Sequence, residues 1–176
     1  MRWAALLKSI NAGKKVAMAE LRDFLRAEGM GDVATLLASG NALFDSDEKD
    51  AATLEHHLRA AARDRLGLDT EWFLRDHPAL ASIVAANPFV EESRIRPNHV
   101  QVFFLHEPLA PALLDTLATI HEGPERLHAI DRALFVDYPV DIGNSKLPQA
   151  MARAKFPKAA TARNWNTILK LVELTA

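Results

Sequence analysis

Short apolar runs alternate along the chain with polar stretches that carry glycine, asparagine or proline. Residues 3–10 form a run suited to a buried strand, giving way to a polar loop over 9–15. Ala17, Leu21, Phe24 and Leu25 then recur at helical spacing, with Gly29 as a stop signal. Residues 33–37 and 42–44 read as two strands joined tightly at Gly40-Asn41, a pair that tolerates positive φ. A second helix over 50–66 has Leu54, Leu58 and Leu66 among its apolar positions, and residues 70–74 form a fourth strand. The order βαββαβ predicts a ferredoxin-like arrangement, an antiparallel sheet with two helices on one face, complete by Arg75.

The second half opens with a helix near 77–86, ended by Asn87-Pro88 because the residue before proline is pushed out of helical conformation. A strand over 100–105, a helix over 110–120, a strand pair at 127–130 and 134–136 and a short helix over 147–154 follow. Thr161 is the expected N-cap of a last helix, with Trp165, Ile168, Leu169 and Val172 on one face and Arg163, Asn166 and Lys170 on the other. The expected class is α+β: two ferredoxin-like subdomains with antiparallel sheets, residues 1–75 and a less regular 76–176 that ends in a helix. The halves share an order of elements and no clear sequence repeat.

Composition narrows the chemistry. A chain of 176 residues, 49% hydrophobic and 25% charged, can bury an ordinary core without a covalent staple. Cysteine is absent, which excludes disulfides, thiol nucleophiles and cysteine-based metal sites. The first apolar stretch is too short for a signal-peptide core or a membrane span, so a cytoplasmic location and no membrane partner are expected. The net charge is -2, yet no Asp or Glu occurs between Ile142 and Val172, where Lys146, Arg153, Lys155, Lys158, Arg163 and Lys170 are all basic.

Five polar strings stand out: SINAGKK at 9–15, SGN at 39–41, NPF at 87–89, SKL at 145–147 and TARNWNT at 161–167. In order and spacing, with LLKSIN leading into the first, they resemble the bacterial family known as domain of unknown function 1697, over almost the whole chain. TARNWNT is the most specific piece. The chain departs from the family pattern in two places: Lys8-Ser9 replace the usual Arg-Gly, and Ala38 the usual Gln before SGN. The resemblance implies the fold; it carries no activity with it.

The 9–15 loop offers Gly13, Lys14 and Lys15 ahead of a helix start, where free backbone N–H groups favour anions; it also fits a plain solvated loop. It is not a P-loop, since Lys8 and Val16 occupy the positions of the first glycine and the final Ser/Thr. Asn41 suits either the hairpin turn or a ligand, and Asn87-Pro88-Phe89 reads as a helix stop with Phe89 in the core. Trp165 reads as core. Adjacent His56 and His57 point in different directions on a helix and no HExxH occurs, so no metal is expected, and no motif calls for a cofactor.

The leading expectation is a binding protein for a phosphorylated ligand, a nucleotide or RNA, at the junction of the halves. Its cations are Lys8, Lys14, Lys15, Lys146, Arg163 and Lys170, and its hydrogen-bonding groups Asn11, Ser39, Asn41, Asn164 and Asn166. RNA is the weaker half, because Ala42-Leu43-Phe44 offers one aromatic and no RNP1 pattern. The alternatives are an enzyme acting on a small anionic metabolite, with Asp45 or another carboxylate as base, and an interaction or structural protein with no ligand. No pattern fixes the oligomeric state.

Overall fold

The computed structural model describes residues 1–8, 16–36 and 40–176. The chain runs β1 (Arg2–Leu7), α1 (Met18–Ala27), β2 (Gly31–Leu36), β3 (Asn41–Asp45), α2 (Ala51–Leu66) and β4 (Trp72–Asp76). It continues with α3 (His77–Ala85), α4 (Val90–Ile95), a 3-10 turn (Pro97–His99), β5 (Val100–Leu105), α5 (Pro111–Ile120), β6 (Arg126–Ile130) and β7 (Ala133–Asp137). The last elements are α6 (Leu147–Arg153), β8 (Ala160–Asn164) and α7 (Trp165–Thr175). Two compact units result, Met1–Ser82 with Lys170–Ala176, and Ile83–Leu169.

Each unit contains a four-stranded antiparallel sheet produced by a βαββαβ run. The strand orders are β2-β3-β1-β4 and β6-β7-β5-β8, so in both sheets the first and third strands are central and the second and fourth lie at the edges. The α+β class expected from the sequence is what the chain adopts.

Strand β1 lacks apolar–polar alternation because both of its faces are buried. Trp3, Ala5 and Leu7 join Ala42, Phe44, Trp72 and Leu74 against Leu21, Phe24 and Leu25 of α1 and Leu54, Leu58 and Ala62 of α2. Ala4, Leu6, Leu43 and Phe73, on the opposite face, are buried as deeply. The ends of α2 are set locally. Asp50 accepts hydrogen bonds from the Thr53 amide at 2.9 Å and hydroxyl at 2.6 Å, and Gly67 closes the helix at φ 63°. In the second unit α5 and α6 lay Leu117, Leu147, Ala150 and Met151 over Leu105, Leu134 and Val136.

The end of the chain differs from expectation. Residues 160–164 are a strand rather than the approach to a helix, and Thr161 pairs with Phe104 in the ladder to β5 instead of capping α7. The cap is Asn164, whose Oδ1 accepts the Thr167 amide at 3.0 Å. Arg163 therefore sits on β8, opposite Val102, and is buried rather than on the polar face of a helix. The open backbone edge of β5 takes up residues whose side chains alone fit a helix start. Leu169 is corrected too: it is 44% exposed, and the buried stripe of α7 runs through Trp165, Ile168 and Leu171. Strand β8 passes into α7 with no residue between them.

Candidate functional site

The expected site residues do not act alike. Asn11, Lys14, Lys15 and Ser39 lie outside the described residues. Lys8 follows β1, its amide donating to the Glu71 carbonyl at 3.1 Å and its carbonyl accepting from the Thr70 hydroxyl. Asn41 is fully buried, and its Nδ2 donates to the Leu36 carbonyl at 3.0 Å, tying the hairpin. Asn164 caps α7, and Asn166 Nδ2 donates to Asn98 Oδ1 at 3.0 Å. Arg163 donates to the Thr161 hydroxyl at 2.7 Å and to the Ala162 carbonyl at 2.9 Å, and burial pushes its guanidinium down to about 10. The NPF string is a turn. Asn87 Oδ1 accepts the Phe89 amide at 2.9 Å and its Nδ2 donates to Ser93 Oγ at 2.8 Å.

Lys146 has a different setting. It stands at the N-cap of α6, with its neighbours Leu147, Ala150 and Met151 turned into the core. Lys146, Gln149 and Arg153 consequently share the outer face at helical spacing. That face, with the segments after α5 and β7, encloses a cavity of about 610 Å³ whose lining includes Lys146, Gln149, Arg153, Asn144, His121 and Glu125.

The floor of the cavity is a buried polar cluster. His121 follows the last residue of α5, its amide bonded to the Leu117 carbonyl at 2.9 Å, and Glu125 lies four residues on. His121 Nε2 is 3.0 Å from Glu125 Oε2, and both side chains are almost fully buried, at 6% and 4% exposure. The Ser145 hydroxyl donates to Glu125 Oε1, and Ser145 Oγ accepts the Leu147 amide at 3.1 Å. Burial works to raise the Glu125 carboxyl, but the hydrogen bonds from Ser145, from the backbone and from His121 outweigh it, and the group is held below the usual range. Tyr138 is pushed up to about 12, first by burial and then by the Glu125 charge.

Gly123 makes the cluster possible. A Cβ there would collide with Glu125 Oε2 and come within 2.7 Å of His121 Cε1. A second cavity, of about 530 Å³, shares His121, Gly123 and Glu125 with the first and is otherwise lined by residues that include Leu114, Leu117, Leu127 and His128.

Carboxylates at the larger cavity are mostly engaged within the protein. Glu125 holds Ser145 and His121, and Asp141 accepts the Gly143 amide at 3.0 Å and the Asn144 side chain. Glu122 remains exposed beside them. Lys146 and Arg153 are exposed and make no ion pair with a described residue. The cavity thus offers two cations that no described residue pairs with, two amide side chains and an imidazole–carboxylate pair. Sequence reasoning found Lys146 and the acid-free stretch holding Arg153, but missed His121 and Glu125. Their signal is the His-x-x-x-Glu spacing just past a helix end, which carries weight only when the intervening turn folds back.

Among the described residues no group of three or more His, Asp or Glu could hold a metal ion, and no helix is long and apolar enough to cross a membrane.

Comparison with known proteins places this architecture. The structure of the conserved bacterial protein SP0830 from Streptococcus pneumoniae superposes with a TM-score of 0.79 at 23% identity, over 99% of this chain and 97% of that one, which establishes a shared fold. No curated protein matches the chain. A family model described as "Protein of unknown function (DUF1697)" matches residues 1–135.

Proposed function

The chain belongs to the DUF1697 family, proteins of unknown function, and we propose that it is a cytoplasmic binding protein for a phosphorylated small molecule of the nucleotide class. The reading rests on one observation. Lys146 and Arg153 line the larger cavity of the second unit without an ion-pair partner among the described residues, while Glu125 and Asp141 are engaged internally. Two cations seven residues apart on one helical face suit a phosphoryl group, and Asn144 and Gln149 supply directional hydrogen bonds. The volume of about 610 Å³ falls in the small-molecule range of roughly 300–1,000 Å³.

A small ligand is favoured over RNA. Of the aromatics on the central strands of the second sheet, Phe104 and Phe135 are fully buried and the half-buried Phe103 is packed edge-on against Phe156, so none is presented as an open stacking platform for bases. Asp45, the carboxylate expected as the base of an enzyme, belongs to the first unit and pairs with Arg2 at 3.4 Å.

The test is titration with adenosine monophosphate, adenosine triphosphate and inorganic phosphate. Lys146→Ala and Arg153→Ala should each weaken binding about tenfold or more, the worth of one charge-assisted hydrogen bond. Each should also flatten the salt dependence. The reading fails if none of the three binds the parent, or if both variants bind as the parent does.

A further inference from the structure

We infer that His121 is itself a ligand-binding residue whose Nδ1 donates a hydrogen bond to a terminal phosphate, so that the site takes phosphate monoesters in preference to phosphodiesters. This rests on the binding reading above and sharpens its ligand class.

The argument begins with the ring's tautomer. Nε2 lies 3.0 Å from Glu125 Oε2, and the carboxylate, already accepting the Ser145 hydroxyl on its other oxygen, can only accept. Nε2 therefore carries a hydrogen. Nδ1 makes no hydrogen bond with a described residue, and His121 is among the residues lining the cavity that Lys146 and Arg153 also line. In the neutral ring Nδ1 presents a lone pair, which repels an anion. In the imidazolium it presents a second N–H, and the adjacent Glu125 balances the ring's charge.

The surrounding groups decide when the ring takes its proton. Glu125 and Glu122 on the turn after α5, and Asp141 after β7, favour the imidazolium, as does Asp115 of α5, which lines the neighbouring cavity. Lys146 and Arg153 of α6 oppose it, as does protonation of His128 on β6; Tyr138 stays neutral. A phosphate dianion between Lys146 and Arg153 reverses the sign of what those two cations do to the ring. Ligand arrival and proton uptake are then one event. A monoester brings two charges and three terminal oxygens, enough for Lys146, Arg153 and His121 together. A diester brings one charge and two such oxygens.

The experiment is calorimetric titration of the full chain with adenosine monophosphate at pH 7.5, in two buffers of different ionisation enthalpy. This pH lies above the ligand's second pKa of about 6, so any proton taken up goes to the protein. The expected result is measurable proton uptake on binding. It should vanish in His121→Gln, which keeps an N–H for Glu125 and has no titrating nitrogen. Cyclic AMP, a diester, should bind the parent at least about tenfold more weakly, and that preference should shrink in His121→Gln. If His121→Gln does not fold, nitrogen-15 imidazole spectra of the parent decide, since adenosine monophosphate should move His121 to the imidazolium form. Binding without uptake, uptake that persists in His121→Gln, equal affinity for cyclic AMP or an unmoved imidazole each overturns the inference and leaves the binding reading standing. Failure of every phosphate to bind the parent overturns both.

Discussion

Nη2 of Arg96 donates to both oxygens of Asp137, at 2.9 and 2.7 Å, and Asp137 has no solvent exposure. Arg126 adds a third bond to the same carboxylate at 2.9 Å while reaching Glu92 at 2.5 Å and lying 5.0 Å over the Phe89 ring. The two arginines are not equivalent, since Arg96 is 32% exposed and Arg126 52%. Arg96→Met should destabilise by about 1.5–3 kcal/mol, the value of hydrogen bonds to a charged group, with Arg126 still compensating Asp137. Arg126→Met should cost less, because its bonds are closer to water. Urea denaturation ranks the two, and a larger loss for Arg126→Met would refute this.

The buried stripe of α7 makes a second prediction. Trp165→Ala should cost about 3–5 kcal/mol, as large-to-small core changes do. Leu169→Ala, one turn further along the helix and exposed, should stay within about 0.5 kcal/mol. Comparable losses at both positions would mean that the face expected from the apolar pattern alone is the correct one.

Capping gives a third. Asn164→Ala removes the oxygen that holds the Thr167 amide and should lower stability by about 0.5–2 kcal/mol. Asn164→Asp keeps that oxygen and should lose little. Thermal denaturation of the pair checks this, and equal losses would show that the side-chain cap is not what Asn164 contributes.

The fourth concerns pH. Glu125 titrates below its ordinary value in the folded chain, so the unfolded chain binds that proton more readily. The contribution of its ionised contacts is fully present above the unfolded value of about 4.3 and disappears as pH falls through the lower folded value. Glu125→Gln should accordingly be less stable than the parent at pH 7 and converge with it on acidification. A stability gap that widens toward low pH would reverse the assigned sign.

How far the sequence could be read depended on whether local and long-range signals agreed. The strand over Val100–Leu105 was legible to the residue, because a run of β-branched, aromatic and aliphatic residues broken only by Gln101 and bounded by polar segments has one good solution. Residues 160–164 were not, since Thr161 and the apolar spacing that follows satisfy a helix start as well as a strand. Only the unpaired edge of β5, remote in sequence, settles the choice. Arg163 was misplaced with its strand, and the contacts of Asn164 and Asn166 proved to be a cap and a link to Asn98. Lys146 could be singled out because it lies in an acid-free stretch. His121 and Glu125 could not, because their pairing depends on a turn that closes tightly only where Gly123 has no side chain.

The direct passage from β8 into α7 ties two kinds of order together. A loop between them would let the strand shift along β5 without disturbing the helix. Here there is no slack, so each residue of slippage turns the helix by about 100° about its axis. A one-residue slip also exchanges the two faces of the strand, and a two-residue slip, which restores those faces, swings Trp165 by about 200° and carries it out of the interior. The helix thus acts as a register gauge for the strand: only one alignment with β5 buries Arg163 beside Val102 and Trp165 in the core at the same time.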